Sequence, residues 1–257
     1  MSASSTWVQI FESRDDPPLR LVCFPFAGGG AQSFRAWPAQ LPVAVELCAV
    51  QLPGREMRLR EAPFSDTGAL VRALVPALLP YLDKPFVLFG HSMGALIAYE
   101  AARLLHAQSG LTPQRLIVSA RVAPHCSLLR APINRLPQAE FMEGLRNLNG
   151  TPAEVLQDDS LMTLIAPMLR ADLAIHEEYS HQPGPALPCD VLAFGGLRDP
   201  EAGRAGLNAW REVTAGSFAL RMLPGDHFFI QSAQNVFLRM LSIELNRLIA
   251  DLPAAAA

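Results

Sequence analysis

With 257 residues, half of them hydrophobic, the chain can bury one large core, and a single undivided α/β domain is expected. A net charge of −3, with no basic tail and no RNA-binding aromatic motif, argues against a nucleic-acid partner. The first ten residues are polar and lack an apolar h-region, and no stretch of about 18 residues escapes charges or prolines, so neither signal peptide nor membrane span is expected.

Residues 19–26 read as the first buried strand, following a loose amino terminus. The strand runs into Ala27-Gly28-Gly29-Gly30, where glycines suggest close approach of the backbone to something. There is no Gly-Lys-Ser/Thr and no G-x-G-x-x-G spacing, which disfavours a phosphate loop. A loop at a strand's carboxyl end can instead lend a backbone N–H to an oxyanion. Ala27 is the candidate donor, with Phe26 in reserve and a plain flexible turn as the alternative. Residues 45–52 form the next strand, ending in Pro53-Gly54-Arg55-Glu56, and residues 65–82 read as largely helical with a kink at Pro76.

The most informative stretch follows. Residues 86–89 form a short apolar run, the pattern of a fully buried strand, and residues 95–107 contain helix formers with no Gly or Pro. Between them Gly90-His91-Ser92-Met93-Gly94 matches G-x-S-x-G, the nucleophile elbow. A strand turning sharply into a helix strains the serine backbone and leaves no room for side chains two residues away on either side. Ser92 is thereby presented above a helix amino terminus, where the Met93 N–H and the helix dipole can stabilise a developing oxyanion.

Residues 115–120 form another strand, completing a strand–helix alternation that implies a parallel sheet wrapped by helices. From about 124 to 181 no convincing strand appears. Phe141, Leu145 and Leu148 recur at helical spacing, as do Leu161, Leu164, Ile165, Met168 and Leu169. The segment is long for a single crossover, so a helical lid inserted over the carboxyl edge of the sheet is expected. The faces bearing Phe141, Leu145, Leu164 and Met168 would line or cap a pocket. The alternation resumes with a strand at 190–195, a helix at 202–214, a last strand at 218–223 and a final helix at 229–249, and residues 253–257 are expected to fray.

A serine hydroxyl needs a base within hydrogen-bond reach, and on this architecture the order is Ser, then Asp or Glu, then His. Of six histidines, His227 follows the last strand, in Gly225-Asp226-His227-Phe228-Phe229, and is the expected base. His91 lies inside the elbow pointing away from Ser92. His176 and His181 flank an acidic pair but lack H-E-x-x-H spacing, so a solvated face is expected there rather than a metal site. Asp199, in the loop after the 190–195 strand, is the expected acid. Asp226 is the alternative, although its place next to the histidine makes back-side hydrogen bonding awkward. Cys23, Cys48, Cys126 and Cys189 are widely spaced without CxxC pairs, as in a reduced cytoplasmic protein.

Together these motifs resemble the type II thioesterases of nonribosomal peptide and polyketide synthesis, which are stand-alone α/β-hydrolases. The likeness runs over residues 21–230. It is carried by Phe24-Pro25-Phe26-Ala27-Gly28-Gly29, Gln51-Leu52-Pro53-Gly54-Arg55-Glu56, the elbow with Ala95, Gly150-Thr151-Pro152, Leu169-Arg170-Ala171-Asp172, Gly195-Gly196 through Asp199-Pro200, and Gly225 to Phe229. Phe26 departs from the His or Tyr common there. The resemblance implies an α/β-hydrolase fold with a mostly parallel central sheet. It also implies Ser92, Asp199 and His227 as the triad, Met93 and Ala27 as oxyanion donors, and neither cofactor nor metal. The implied reaction is hydrolysis of acyl groups from the phosphopantetheine thiol of carrier proteins, clearing misprimed or stalled synthases. A carboxylesterase or lipase on small free substrates would use the same residues, and an inactive binding module is the remaining alternative. Carrier proteins of this kind present an acidic helix, for which Arg55, Arg58 and Arg60, with Arg121 and Arg130 beside the inserted segment, are candidate docking cations; Glu56 and Glu61 could instead pair with some of them.

Overall fold

The computed structural model describes residues 6–252; the expected fraying at 253–257 lies outside them. Strand β1 (Val8–Gln9) is followed by β2 (Leu19–Phe24), β3 (Val45–Val50), helix α1 (Thr67–Leu78), β4 (Phe86–His91), α2 (Met93–Ser109) and β5 (Arg115–Ser119). Helices α3 (Gln138–Leu148), α4 (Ala153–Gln157) and α5 (Asp159–Glu177) come next. The chain then forms β6 (Asp190–Gly196), α6 (Arg204–Asn208), β7 (Phe218–Leu223), α7 (Phe229–Ser232) and α8 (Gln234–Asp251). The strands make one sheet in the order β1-β3-β2-β4-β5-β6-β7, parallel throughout except for β1, which pairs antiparallel with β3.

Strands β3, β4 and most of β2, β5 and β6 are buried on both faces, which is why they read as unbroken apolar runs. Alternate residues separate into two cores. Val22, Cys48, Leu88, Leu116 and Val191 face α1 and α2, while Leu21, Leu47, Phe89, Ile117 and Leu192 face Trp37 and the Phe237-Leu241-Leu245 stripe of α8. Helix α1 starts where the Asp66 carboxylate accepts the Ala69 N–H at 2.7 Å and continues through Pro76 before tightening at Leu79–Tyr81. Helix α2 stops at Gly110, whose φ of +68° suits a left-handed cap.

Several elements differ from expectation. The two-residue β1 carries too little pattern to be read from sequence. The helix expected at 202–214 is α only over Arg204–Asn208 and then 3-10 over Ala209–Val213. The final helix breaks at Ala233, which leaves the helical region (φ −124°) between α7 and α8.

Helices α3–α5 form a third apolar cluster of their own, with Phe141, Leu145, Leu156, Met162, Leu169 and Leu173 in it. Arg170 of α5 donates to the carbonyls of Asn134 and Leu136 at 2.7 and 2.8 Å, and its guanidinium stacks 3.9 Å over the Phe141 ring. The buried stripe of α5 is rotated from the expected one. It runs through Met162, Ala166, Leu169, Leu173 and His176, and Leu164 is 57% exposed on the outer face. Met168 is buried in the cluster but does not reach the cleft described below.

Candidate active site

The elbow takes the shape its sequence requires. Ser92 has φ +55° and ψ −117°, a conformation that costs a non-glycine residue on the order of 1–3 kcal/mol. It is held there because Ser92 N–H donates to Ser119 O at 2.8 Å and its own carbonyl accepts from Ala95 N–H at 3.0 Å. A Cβ on Gly90 would overlap the Gly94 carbonyl, and one on Gly94 would overlap the Phe24 carbonyl of the neighbouring strand. Both glycines are therefore demanded by contact. Between them His91 is fully buried, with Nδ1 2.9 Å from Ser119 Oγ, and burial together with the nearby His227 holds it well below its ordinary pKa.

His227 follows β7 and Asp199 follows β6, so the neighbouring carboxyl ends of parallel strands bring both toward β4. His227 Nε2 lies 3.0 Å from Ser92 Oγ, and its Nδ1 lies 3.1 and 3.0 Å from the two oxygens of Asp199. The tautomer with the proton on Nδ1 satisfies both contacts: the hydroxyl donates to Nε2 and Nδ1–H donates to the carboxylate. Asp199 Oδ1 also accepts the N–H groups of Glu201 and Ala202 at 2.8 and 3.2 Å, which fixes its rotamer. Ser92, Asp199 and His227 are each less than 10% exposed. Burial works against a charged His227, but the hydrogen bond and charge of Asp199 outweigh it, and the net shift is upward. Asp226 is turned away and accepts the Phe228 N–H at 3.0 Å.

Ser92 and His227 open onto a narrow cleft whose apolar walls include Phe26, Leu145, Leu148, Leu169, Leu173 and Phe228. Ala27 lines the same cleft, and among the described residues its N–H has no acceptor. Met93 supplies the first amide of α2, which no helix can satisfy internally. A wider groove of about 810 Å³ between α1, α2 and residues 178–187 contains none of these groups.

Other expectations change. His176 is no solvated residue: it completes the inner stripe of α5 and lines the cleft, and Arg121 Nη1 donates to its Nδ1 at 2.6 Å. Burial, then the charges of Arg121, Arg130 and His227, keep it neutral. Arg55, Arg58 and Arg121 are buried, so they offer no docking surface. Arg55 forms a two-pronged pair with Asp172, and Arg58 pairs with Glu61 over the Trp7 ring. Arg130 pairs with Glu177 and Glu201. Asp172 and His176 received no site role from the sequence, and Arg121 only a docking one, since each is set by a helix face or a loop meeting the cleft from elsewhere in the chain. Among the described residues no group of three or more His, Cys, Asp or Glu could hold a metal.

Comparison with known proteins places the chain in a family. A family model described as thioesterase domain matches residues 19–243. The chain belongs to the thioesterase family. As a thioesterase it is a hydrolase of thioester bonds. It is 42% identical over 244 residues to a protein named linear gramicidin dehydrogenase LgrE, from Brevibacillus parabrevis, covering 94% of this chain and 93% of that one. It is 39% identical over 232 residues to the gramicidin S biosynthesis protein GrsT of Aneurinibacillus migulanus, covering 90% and 91%. Among solved structures it is similar to YbtT, a type II thioesterase from the yersiniabactin NRPS/PKS biosynthetic pathway, with a TM-score of 0.85, 32% identity and coverage of 95% and 99%. The first of these names refers to a dehydrogenase, whereas this thioesterase has no G-x-G-x-x-G run. Its fold is the α/β-hydrolase fold, as its motifs led us to expect. No helix among the described residues is long and apolar enough to cross a membrane.

Proposed function

We propose that this thioesterase hydrolyses acyl groups carried on the phosphopantetheine thiol of carrier proteins, using Ser92 as nucleophile, His227 as general base and acid, and Asp199 as the orienting carboxylate. The observation that carries the proposal is the hydrogen-bonded chain Ser92–His227–Asp199 at the base of an apolar cleft, in a member of the thioesterase family. Ser92 Oγ adds to the thioester carbonyl while its proton passes to His227 Nε2. The oxyanion is held by the N–H groups of Met93 and Ala27. Collapse breaks the C–S bond, and the departing thiolate takes the proton from His227, leaving an acyl ester on Ser92. Water then adds with His227 again as base, and the acid departs as Ser92 recovers its proton. A thiolate needs little help in leaving, so most of the stabilisation is required at the oxyanion.

The carrier substrate is supported by the motifs shared with type II thioesterases and by relatives whose names place them in gramicidin and yersiniabactin biosynthesis. The apolar walls of the cleft suit an acyl chain, and α3–α5, which supply Leu145, Leu148, Leu169 and Leu173, act as its lid. Four free cysteines, three of them buried, fit a reducing cytoplasm; burial pushes the Cys48 thiol up to about 12. Ser92→Ala should remove turnover of an acyl-carrier substrate and labelling by a fluorophosphonate, while the melting temperature stays within a few degrees. Turnover of simple esters well above that of carrier-bound acyl groups would instead assign the carboxylesterase reading.

A further inference from the structure

Two family motifs, Gln51 to Glu56 and Leu169 to Asp172, have no part in the chemistry above, yet both converge on the loop that carries Ala27. The Gly28 N–H donates to Asp172 Oδ2 at 2.8 Å, and Arg55 Nη1 donates to Gly29 O at 3.0 Å. Arg55 and Asp172 are joined by two parallel hydrogen bonds of 2.6 Å. Farther along, Ala31 N–H donates to Gln51 Oε1 at 3.3 Å and Gln32 N–H to Glu56 Oε1 at 3.2 Å. Each peptide is planar, so fixing one end of it aims the other. Phe26 O accepts the Gly29 N–H at 2.9 Å, and it shares a peptide plane with the Ala27 N–H. Asp172 holds the next plane through Gly28 N–H, and Arg55 holds the Gly29 carbonyl beyond that. The loop from 28 to 32 is gripped from outside, while Ala27, which lines the cleft, keeps an N–H with no acceptor among the described residues.

Asp172 is 1% and Arg55 5% exposed, and a buried ion pair is often no more stabilising than apolar side chains of the same volume. Its consequence here is geometric. Asp172 sits on α5 between Leu169 and Leu173, which wall the cleft, and Gly28 (φ +81°) lies so close to Leu169 that a Cβ there would approach its Cδ2 to 2.8 Å. We propose that Asp172 and Arg55 are positioning residues for the oxyanion hole: they aim the Ala27 N–H, and they make its alignment depend on the seating of α5. This rests on Ala27 being an oxyanion donor, as in the function proposed above.

The test pairs Arg55→Met with Asp172→Leu, so that no charge is stranded, and measures three quantities on the full chain. These are steady-state kinetics on an acyl-pantetheine thioester, affinity for the matching trifluoromethyl ketone that forms a tetrahedral adduct with Ser92, and affinity for a thioether lacking the carbonyl. The expected result is a kcat lower by about 10²-fold, the size of losing one oxyanion donor, with KM changed less than about threefold. Ketone affinity should fall in proportion to kcat/KM, and thioether affinity should not change. A folded double variant with wild-type kcat, or one that loses ketone and thioether affinity equally, overturns the assignment. If the double variant does not fold, Asp172→Asn carries the same comparison: with its oxygen in the Oδ2 place its NH2 is turned against Arg55 Nη2, and in the reverse rotamer the Gly28 N–H loses its acceptor. Wild-type enzyme that binds ketone no better than thioether would overturn the oxyanion reading itself, whereas a defect confined to the variants concerns the clamp alone.

Discussion

At the scale of single residues, the proposed mechanism makes the charge state of His227 set when the enzyme can work. The base must be neutral to take the Ser92 proton, and Asp199 raises its pKa above the ordinary 6.5 despite burial. Activity should therefore be low where His227 is protonated and should rise with pH through a midpoint above 6.5. In Asp199→Asn the raising interaction is gone while the burial remains, so the acid limb should move to lower pH as kcat drops by about 10⁴-fold. A pH profile of kcat/KM on an acyl-pantetheine thioester reads both effects, and an unmoved limb would contradict the Asp199 role. The same pair has a stability consequence of opposite direction. A raised folded-state pKa stabilises most below the unfolded value and loses that contribution as pH climbs through the folded one. These residues were legible in sequence because each sits directly after a strand in a short local pattern. His176 was not legible, since its burial comes from the rotation of α5 and from Arg121, 55 positions away.

At the scale of elements, α3–α5 differ from the sheet in how they are held. Strand β4 is hydrogen-bonded on both sides, to β2 and β5, and buried along its whole length. Helix α5 is tied to the body by Asp172 to Arg55 and Gly28, by His176 to Arg121, and by Thr67 Oγ1 to Ile175 O at 3.0 Å. Helices α3 and α4 pack chiefly within their own cluster. Hydrogen exchange should then rank β4 slowest, α5 intermediate, and α3 with α4 fastest. Equal protection across 138–177 and β4 would count against a lid that opens. Periodicity located α3 and α5 but not the five-residue α4, and on α5 it placed Met168 and Leu169 correctly on the buried face but wrongly included Leu164, which is exposed. The break at Ala233 has no Gly or Pro to announce it, and the two-residue β1 is defined by its pairing with β3.

At the scale of the whole molecule, the folded chain turns three arginines of the expected docking set inward, and this changes what a charge reversal should do. Arg58 is 5% exposed. Its Nη1 donates to Gln51 O at 3.0 Å, its Nε and Nη2 bind Glu61 at 2.8 and 2.5 Å, and its guanidinium lies 3.9 Å over the Trp7 ring. Gln51 in turn holds the Ala31 N–H beside the Ala27 loop. Arg58→Glu would face Glu61 with a like charge, leave Gln51 O without its donor, and lose the stacking on Trp7. Glu61 is 49% exposed, so the ion pair itself contributes little, but a carboxylate placed at this buried position without a donor costs on the order of a few kcal/mol, and a large drop in melting temperature is expected. Arg60, exposed two residues on, has no ion pair among the described residues, and Arg60→Glu should change stability by no more than about 0.5 kcal/mol. Because the Arg58 defect acts through the fold and the Ala27 loop, kcat/KM should fall by the same factor on carrier-bound and free acyl-pantetheine thioesters. A loss confined to the carrier-bound substrate, with the melting temperature unchanged, would return Arg58 to the docking surface.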